Sequence, residues 1–313
     1  MKFNLSIIPI VGFLCLFFSP SSAVALILGV IITLIFGNPH IDRTRKLTST
    51  LLSLSVMGLG AGMNLNTVGT VGLQGFLYTV VGITSTLVLG TLLGKIFKTE
   101  KETSTLIAVG TAICGGSAIA AMAPTIQAKH HNVSVSLGVV FLLNALALVI
   151  FPTVGHHFEL SEQQFGLWSA LAIHDTSSVV GATLQYGSKA LEIGTTVKLA
   201  RALWIVPVTI AYGFLIQKNP KSDNKAKAKR PWFILGFLVA AALVTWIPSL
   251  QSIGISINHI ARKTLVVTLF LIGTNLTRET LKNVGAKPLI QGICLWILVA
   301  GGTLSGILLG WIK

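Results

Sequence analysis

Residues 172–178 read Ala172-Ile173-His174-Asp175-Thr176-Ser177-Ser178, inside an apolar run that continues past Gly181. Asp175 is the only carboxylate of the chain placed so deep in such a run. The other eight, Asp42, Glu100, Glu102, Glu159, Glu162, Glu192, Asp223 and Glu279, stand in polar connectors. A charge at the centre of a membrane helix costs on the order of 3 kcal/mol, so it pairs, faces a polar cavity or carries a proton. Ionisable and hydroxyl groups gathered on one membrane segment point to a pathway or a binding site.

The surrounding sequence has the composition this reading needs. Its 313 residues are 52% hydrophobic and 10% charged, with a mean hydropathy of +0.81. Soluble domains carry about 25% charged residues. A helix crosses the hydrocarbon core with roughly 20 apolar residues. Runs of about that length fall near 5–19, 22–37, 46–63, 68–96, 103–127, 133–152, 164–186, 196–217, 232–248, 259–276 and 288–312. These make eleven spans, or ten if the short second one is re-entrant. A transmembrane barrel would show alternating segments of ~10 residues instead, and none occur. The fold class is an all-α polytopic membrane protein. Its N-terminal part, 1–217, and C-terminal part, 232–313, form one integral unit joined by a basic loop at 218–231.

The formal charge of +14 does not indicate nucleic-acid binding, because no soluble domain displays a basic patch. The basic residues sit in loops, where they orient a membrane protein. With the sides alternating at each span, sixteen Lys and Arg fall on the side of the N-terminus and six on the other; Arg201 lies within a span. That bias places the N-terminus in the cytoplasm and the C-terminus outside. One connector, 153–163, breaks the rule: it falls on the basic side with two His, two Glu and no Lys or Arg. At the N-terminus, Lys2, an apolar stretch and Ala23-Val24-Ala25 imitate a signal peptide. The apolar sequence resumes at once from Leu26, which favours a retained first span.

Two internal echoes stand out. Gly62-Met63-Asn64-Leu65-Asn66 resembles Gly273-Thr274-Asn275-Leu276-Thr277, each ahead of an apolar span, and they run in opposite directions, as in an inverted repeat. The Asn64 and Asn275 positions read as helix ends. The second echo pairs Ala112-Ile113-Cys114-Gly115-Gly116-Ser117 with Ala172-Ile173-His174-Asp175-Thr176-Ser177. On the eleven-span count these share one orientation, which inversion does not explain. Either one segment is a hairpin or the similarity is functional only.

Gly115-Gly116 is a poor helix interior, since each Gly costs about 0.8–1 kcal/mol against Ala. A broken helix there would aim free N–H groups at an anion; close helix packing through small residues is the plainer alternative. The candidate substrate-binding residues are Cys114, Gly115, Gly116 and Ser117, with His174, Thr176, Ser177 and Ser178. Lys198 and Arg201, one turn apart, either snorkel to the headgroups or draw an anion inward. Asp175 is the candidate ion-coupling residue, carrying a proton or holding a cation, unless it simply pairs with Lys198 or Arg201. Cys15 and Cys294 read as small reduced hydrophobes, and Cys114 has no neighbouring base that would make it a nucleophile. His130-His131 and His156-His157 read as solvated loop residues. No metal site and no cofactor is expected, and no nucleotide-binding pattern appears.

Gly110-Thr111-Ala112-Ile113-Cys114-Gly115-Gly116-Ser117-Ala118-Ile119-Ala120-Ala121 resembles the hallmark stretch of the YeiH-like bacterial inner-membrane proteins, commonly labelled sulfate exporters. Phe165-Gly166-Leu167-Trp168 leading to Ile173-His174-Asp175, Val197-Lys198-Leu199-Ala200-Arg201 and Ile272-Gly273-Thr274-Asn275-Leu276 resemble it too. The similarity covers nearly the whole chain; the Lys-rich 218–230 stretch lies outside it. The resemblance implies kinship with bile-acid, arsenite and auxin-type secondary carriers, with inverted repeats and broken helices crossing at the site. The expected function is a secondary transporter exporting or exchanging a small anion, sulfate or a sulfonate, coupled to a proton or sodium. A coupled organic-anion carrier and an intramembrane enzyme using His174 and Asp175 are the alternatives. Beyond the lipid bilayer and the anion, homo-oligomerisation is left open.

Overall fold

The computed structural model describes residues 7–18, 22–216, 232–278 and 285–312. The basic loop expected at 218–231 lies outside the described residues. Throughout the described residues the chain is helical, with no strand.

The first four helices are α1 (Ile7–Phe18), α2 (Ser22–Phe36), α3 (Ile41–Gly60) and α4 (Leu65–Ile96). Next come α5 (Lys101–Ala112), α6 (Gly116–Thr125) and α7 (His130–His157). They are followed by α8 (Glu162–Ala172), α9 (Thr176–Tyr186), α10 (Ser188–Ala202) and α11 (Ile205–Ile216). The C-terminal part holds α12 (Trp232–Trp246), α13 (Gln251–Thr274) and α14 (Ala286–Leu308). Among the described residues, five segments are long and apolar enough to cross a membrane: Tyr78–Ile96, His131–His157, Ser188–Phe214, Pro248–Thr274 and Ala286–Leu308.

Small residues decide how closely the helices pack. A Cβ on Gly29 would lie 2.1 Å from the Phe270 carbonyl oxygen, and one on Gly273 would lie 2.2 Å from that of Leu26. The α2 and α13 backbones therefore touch, the close approach that small residues allow between membrane helices. Gly60 meets the Phe237 carbonyl of α12 in the same way. The two echoed asparagines end helices, as the sequence suggests. Asn64 caps α4 by accepting from the Asn66 N–H at 2.9 Å. Asn275 closes α13 and is held by Thr44 and Thr48 of α3.

The segments 103–127 and 164–186, read from the sequence as straight spans, are hairpins. Glu102, at the start of α5, accepts from the Lys129 N–H and the Asn132 side chain, both at 2.9 Å and both just beyond α6. Gly110 of α5 faces Ile119 of α6, with 3.0 Å between the Gly110 Cβ position and the Ile119 side chain. The chain has entered and returned. Glu162, at the start of α8, likewise accepts from the Lys189 N–H at 2.7 Å and the Ala190 N–H at 3.3 Å, beyond α9. Gly194 of α10 touches Gly166 of α8 and Thr183 of α9 together. In a straight helix those two would be about 25 Å apart at 1.5 Å per residue.

The hairpins enter from opposite ends of α7. The first has its base at Asn132, near the start of α7. The second has its base at the other end, where Tyr186 donates to the Leu160 carbonyl at 2.6 Å and stacks on His156, 4.4 Å between centroids. At 28 residues α7 is about 42 Å long, enough to cross the bilayer. Its helical ends absorb both His pairs read as loop residues, and His156 is a stacking partner rather than a free loop side chain.

Candidate functional site

The two hairpin tips meet near the middle of α7. A Cβ on Gly115 would lie 3.0 Å from the Asp175 Cβ and 3.4 Å from the Val140 side chain. Gly115 has φ +67°, a conformation that strains any side-chain-bearing residue. A residue with a Cβ would both strain the turn and push the tips apart. Each tip is short: Ile113 to Gly115 between α5 and α6, Ile173 to Asp175 between α8 and α9.

Together the two tips present four helix ends to one point, two C-terminal and two N-terminal. The C-terminal ends of α5 and α8 leave unpaired carbonyls and a partial negative charge. Arg201 supplies both. Its Nε donates to the Ala112 carbonyl at 2.6 Å and its Nη2 to that of Thr111 at 3.5 Å. Its Nη1 donates to the carbonyls of Leu171 and Ala170. One guanidinium thus ties the end of α5 to the end of α8. Lys198, one turn earlier on α10, donates to the Ile173 carbonyl at 2.6 Å and the Ala170 carbonyl at 3.4 Å. Both side chains are fully buried, so neither snorkels to a headgroup.

At the N-terminal ends the two tips differ. Asp175 caps α9: its carboxylate accepts from the Ser178 N–H and the Ser177 hydroxyl, each at 2.8 Å. Among the described residues the ion pairs within 4 Å are Lys129–Glu100 and Lys189–Glu192, so Asp175 pairs with neither Lys198 nor Arg201. α6 begins at Gly116 with Gly115 as its N-cap and no capping side chain. Of the other candidates, Cys114 and Thr176 are buried, Gly116 is half-buried and Ser117 is exposed. The exposed face of α6 continues through Ala120 and Pro124, whereas α9 is buried from Thr176 to Thr183. His174 points elsewhere: its ring lies 6.4 Å from that of Trp296 on α14, and both its nitrogens lack partners.

The sequence reading did not single out Asn144. It sits at the midpoint of α7, 3% exposed, with neither its carboxamide oxygen nor its nitrogen bonded. The signal was one carboxamide in the centre of the 133–152 run. The two carboxylates at the hairpin bases were also missed. Glu102 and Glu162 are sixty residues apart, the same offset as Ala112 and Ala172, Ser117 and Ser177, and Lys129 and Lys189.

These features define a multi-pass helical membrane protein with a broken-helix site inside it. The family model described as Conserved hypothetical protein 698 matches residues 7–292, and the chain belongs to that family, the YeiH-like group its motifs resemble. A UPF0324 membrane protein of Bdellovibrio bacteriovorus is 65% identical over 305 residues, covering 97% of this chain and 94% of the relative. Another from Geobacter sulfurreducens is 49% identical, covering 93% and 92%; one from Bacteroides thetaiotaomicron is 48% identical, covering 90% and 84%. No solved structure matches.

Proposed function

We propose that the protein is a secondary carrier that exports or exchanges a small anion, sulfate or a sulfonate, across the bacterial cytoplasmic membrane. The observation that carries this reading is the meeting of two hairpin tips at Gly115 and Asp175, with Lys198 and Arg201 fully buried beside them. Buried ionisable groups at membrane depth mark a substrate or ion pathway. Irregular backbone is tolerated there only where protein or a watery cavity covers it. The uncapped N-terminus of α6 offers N–H groups to an anion. Asp175 makes the charge of the site depend on a bound proton or sodium ion. The exposed small residues on α6, against the buried α9, suit a conformation open toward the base of the first hairpin.

The hairpins also support an orientation. With both returning to the side they left, the basic side carries Lys2, Arg43, Arg45, Lys46, Lys95, Lys98, Lys101, Lys129, the six of the 218–230 loop, Arg278, Lys282 and Lys287. That is seventeen of the twenty-three Lys and Arg. The connector 153–163 moves to the opposite side, and the charge rule loses its exception. The N-terminus is then cytoplasmic and the C-terminus outside. Each hairpin plus its following crossing forms a unit, and two such units in succession have opposite orientations, an inverted repeat of sixty residues.

The test is labelled sulfate flux in proteoliposomes of the full chain, with and without imposed proton and sodium gradients, for wild type and Asp175→Asn. Gradient-dependent flux that collapses in the variant supports the reading. Flux of organic anions with none of sulfate favours the organic-anion carrier, and substrate turnover without any flux favours an intramembrane enzyme.

A further inference from the structure

Among the described residues, Asn144 and His174 are the side chains with two buried polar atoms that both lack a partner. One turn before Asn144, Val140 packs against the Gly115 tip; one turn after it, the Leu148 side chain lies 2.5 Å from the Cβ position of Gly181 on α9. Residues four apart share a helix face, so the carboxamide stands between the first tip and the first turns of α9. Phe141, three residues earlier, touches Gly116 at the start of α6. Asn144 therefore lies on α7 between residues that touch the start of α6 and one that touches the middle of α9. A buried amide left with neither donor nor acceptor satisfied destabilises the fold, and a bound ligand removes that cost.

The groups around this point limit what that ligand is. Its titratable neighbours are Cys114 on the first tip, His174 and Asp175 on the second, and Lys198 and Arg201 on α10. The two cations are committed to five backbone carbonyls at the C-terminal ends of α5 and α8. The α6 N–H groups and the Asn144 amide donate. The Asn144 carbonyl oxygen can only accept and has no partner, so a ligand without a donor leaves it unsatisfied.

We infer that Asn144 is a substrate-contacting residue, and that the site selects a monovalent oxyanion that keeps a proton, an HO–X–O⁻ group, over a fully ionised divalent one. This rests on the carrier reading and names the substrate class of that same site. The charged oxygen takes the α6 N–H groups and the Asn144 amide. The hydroxyl donates to the Asn144 oxygen, so a proton crosses on the substrate in addition to any ion held at Asp175.

The experiment measures uptake of inorganic sulfite, sulfate and methanesulfonate into proteoliposomes of the full chain across a pH series. Protein-free liposomes are subtracted at each pH. Methanesulfonate is monovalent throughout and has no donor, so it reports pH effects on the protein itself. We expect sulfite uptake, normalised to methanesulfonate, to follow the hydrogensulfite fraction, with sulfate at least tenfold slower. In Asn144→Leu, hydrogensulfite uptake falls about tenfold and its excess over methanesulfonate is lost. Sulfate or methanesulfonate carried as fast as hydrogensulfite at every pH overturns the inference and leaves an anion carrier standing. Wild type that is monodisperse and moves none of the three overturns the carrier reading as well. The wild-type pH series decides the matter even if Asn144→Leu fails to fold.

Discussion

Arg201 and Asp175 sit at opposite ends of the same electrostatic problem, and their substitutions separate structure from function. Arg201 satisfies carbonyls of both α5 and α8, and hydrogen bonds from a charged group contribute about 1.5–3 kcal/mol each. Arg201→Met leaves those carbonyls unmet, so a loss on the order of 3 kcal/mol is expected, read as a lower thermal unfolding midpoint in detergent. Arg201→Lys recovers little, because an ammonium lacks the planar fork that reaches both tips. Asp175→Asn behaves differently. Asn caps a helix about as well as Asp, so the midpoint moves little while ion-dependent flux disappears. Equal destabilisation by Asp175→Asn and Asp175→Ala would show that the carboxylate does more than cap α9. Asp175 was legible as the outlying charge of the sequence. The partners of Lys198 and Arg201 were not, because they are backbone carbonyls and carry no residue identity.

Among the elements, the hairpins combine a tip that needs glycine with a base held by a carboxylate. Gly115→Ala adds a Cβ at 3.0 Å from that of Asp175 in a conformation with φ +67°. Such backbone strain costs about 1–3 kcal/mol, and flux should fall with it. Gly116→Ala, whose Cβ would meet only the Phe141 and Leu137 side chains at 3.1 Å or more, should be milder by both measures. At the base of the first hairpin, the Lys129 N–H and the Asn132 amide hold the Glu102 carboxyl below its ordinary range. A depressed carboxylate pKa stabilises the fold above the unfolded value, and that contribution is lost as pH falls through the folded one. Wild type should therefore lose thermal stability on acidification more steeply than Glu102→Gln; parallel curves would remove the carboxylate from the base of the hairpin. Composition disclosed the broken helices but not their return. A helix, a break and a second helix over 25 residues, Lys101–Thr125 or Glu162–Tyr186, have the length and hydropathy of one crossing. Only contacts between their two ends reveal a hairpin.

Across the whole molecule, that distinction reverses the side of the membrane on which two connectors lie. If 103–127 and 164–186 crossed straight, His131 would lie on the side opposite the N-terminus and Glu159 on the same side. With re-entrant hairpins the two exchange places: the 129–132 turn joins the basic side, and the 153–163 connector, without Lys or Arg, joins the other. The charge distribution already leans to the second arrangement, since the one connector that broke the rule then obeys it. The carrier reading leans the same way, because tips that enter from opposite sides and meet at Gly115 and Asp175 can each uncover the site from one side alone. His131→Cys and Glu159→Cys, in a background with Cys15, Cys114 and Cys294 replaced by Ala, decide it. A membrane-impermeant thiol reagent should label Glu159→Cys in intact spheroplasts, and His131→Cys only in inverted vesicles. The reverse pattern would restore eleven straight spans and leave the carboxylate contacts at Lys129 and Lys189 without an account, because Glu102 and Glu162 would then face their partners across the full thickness of the membrane.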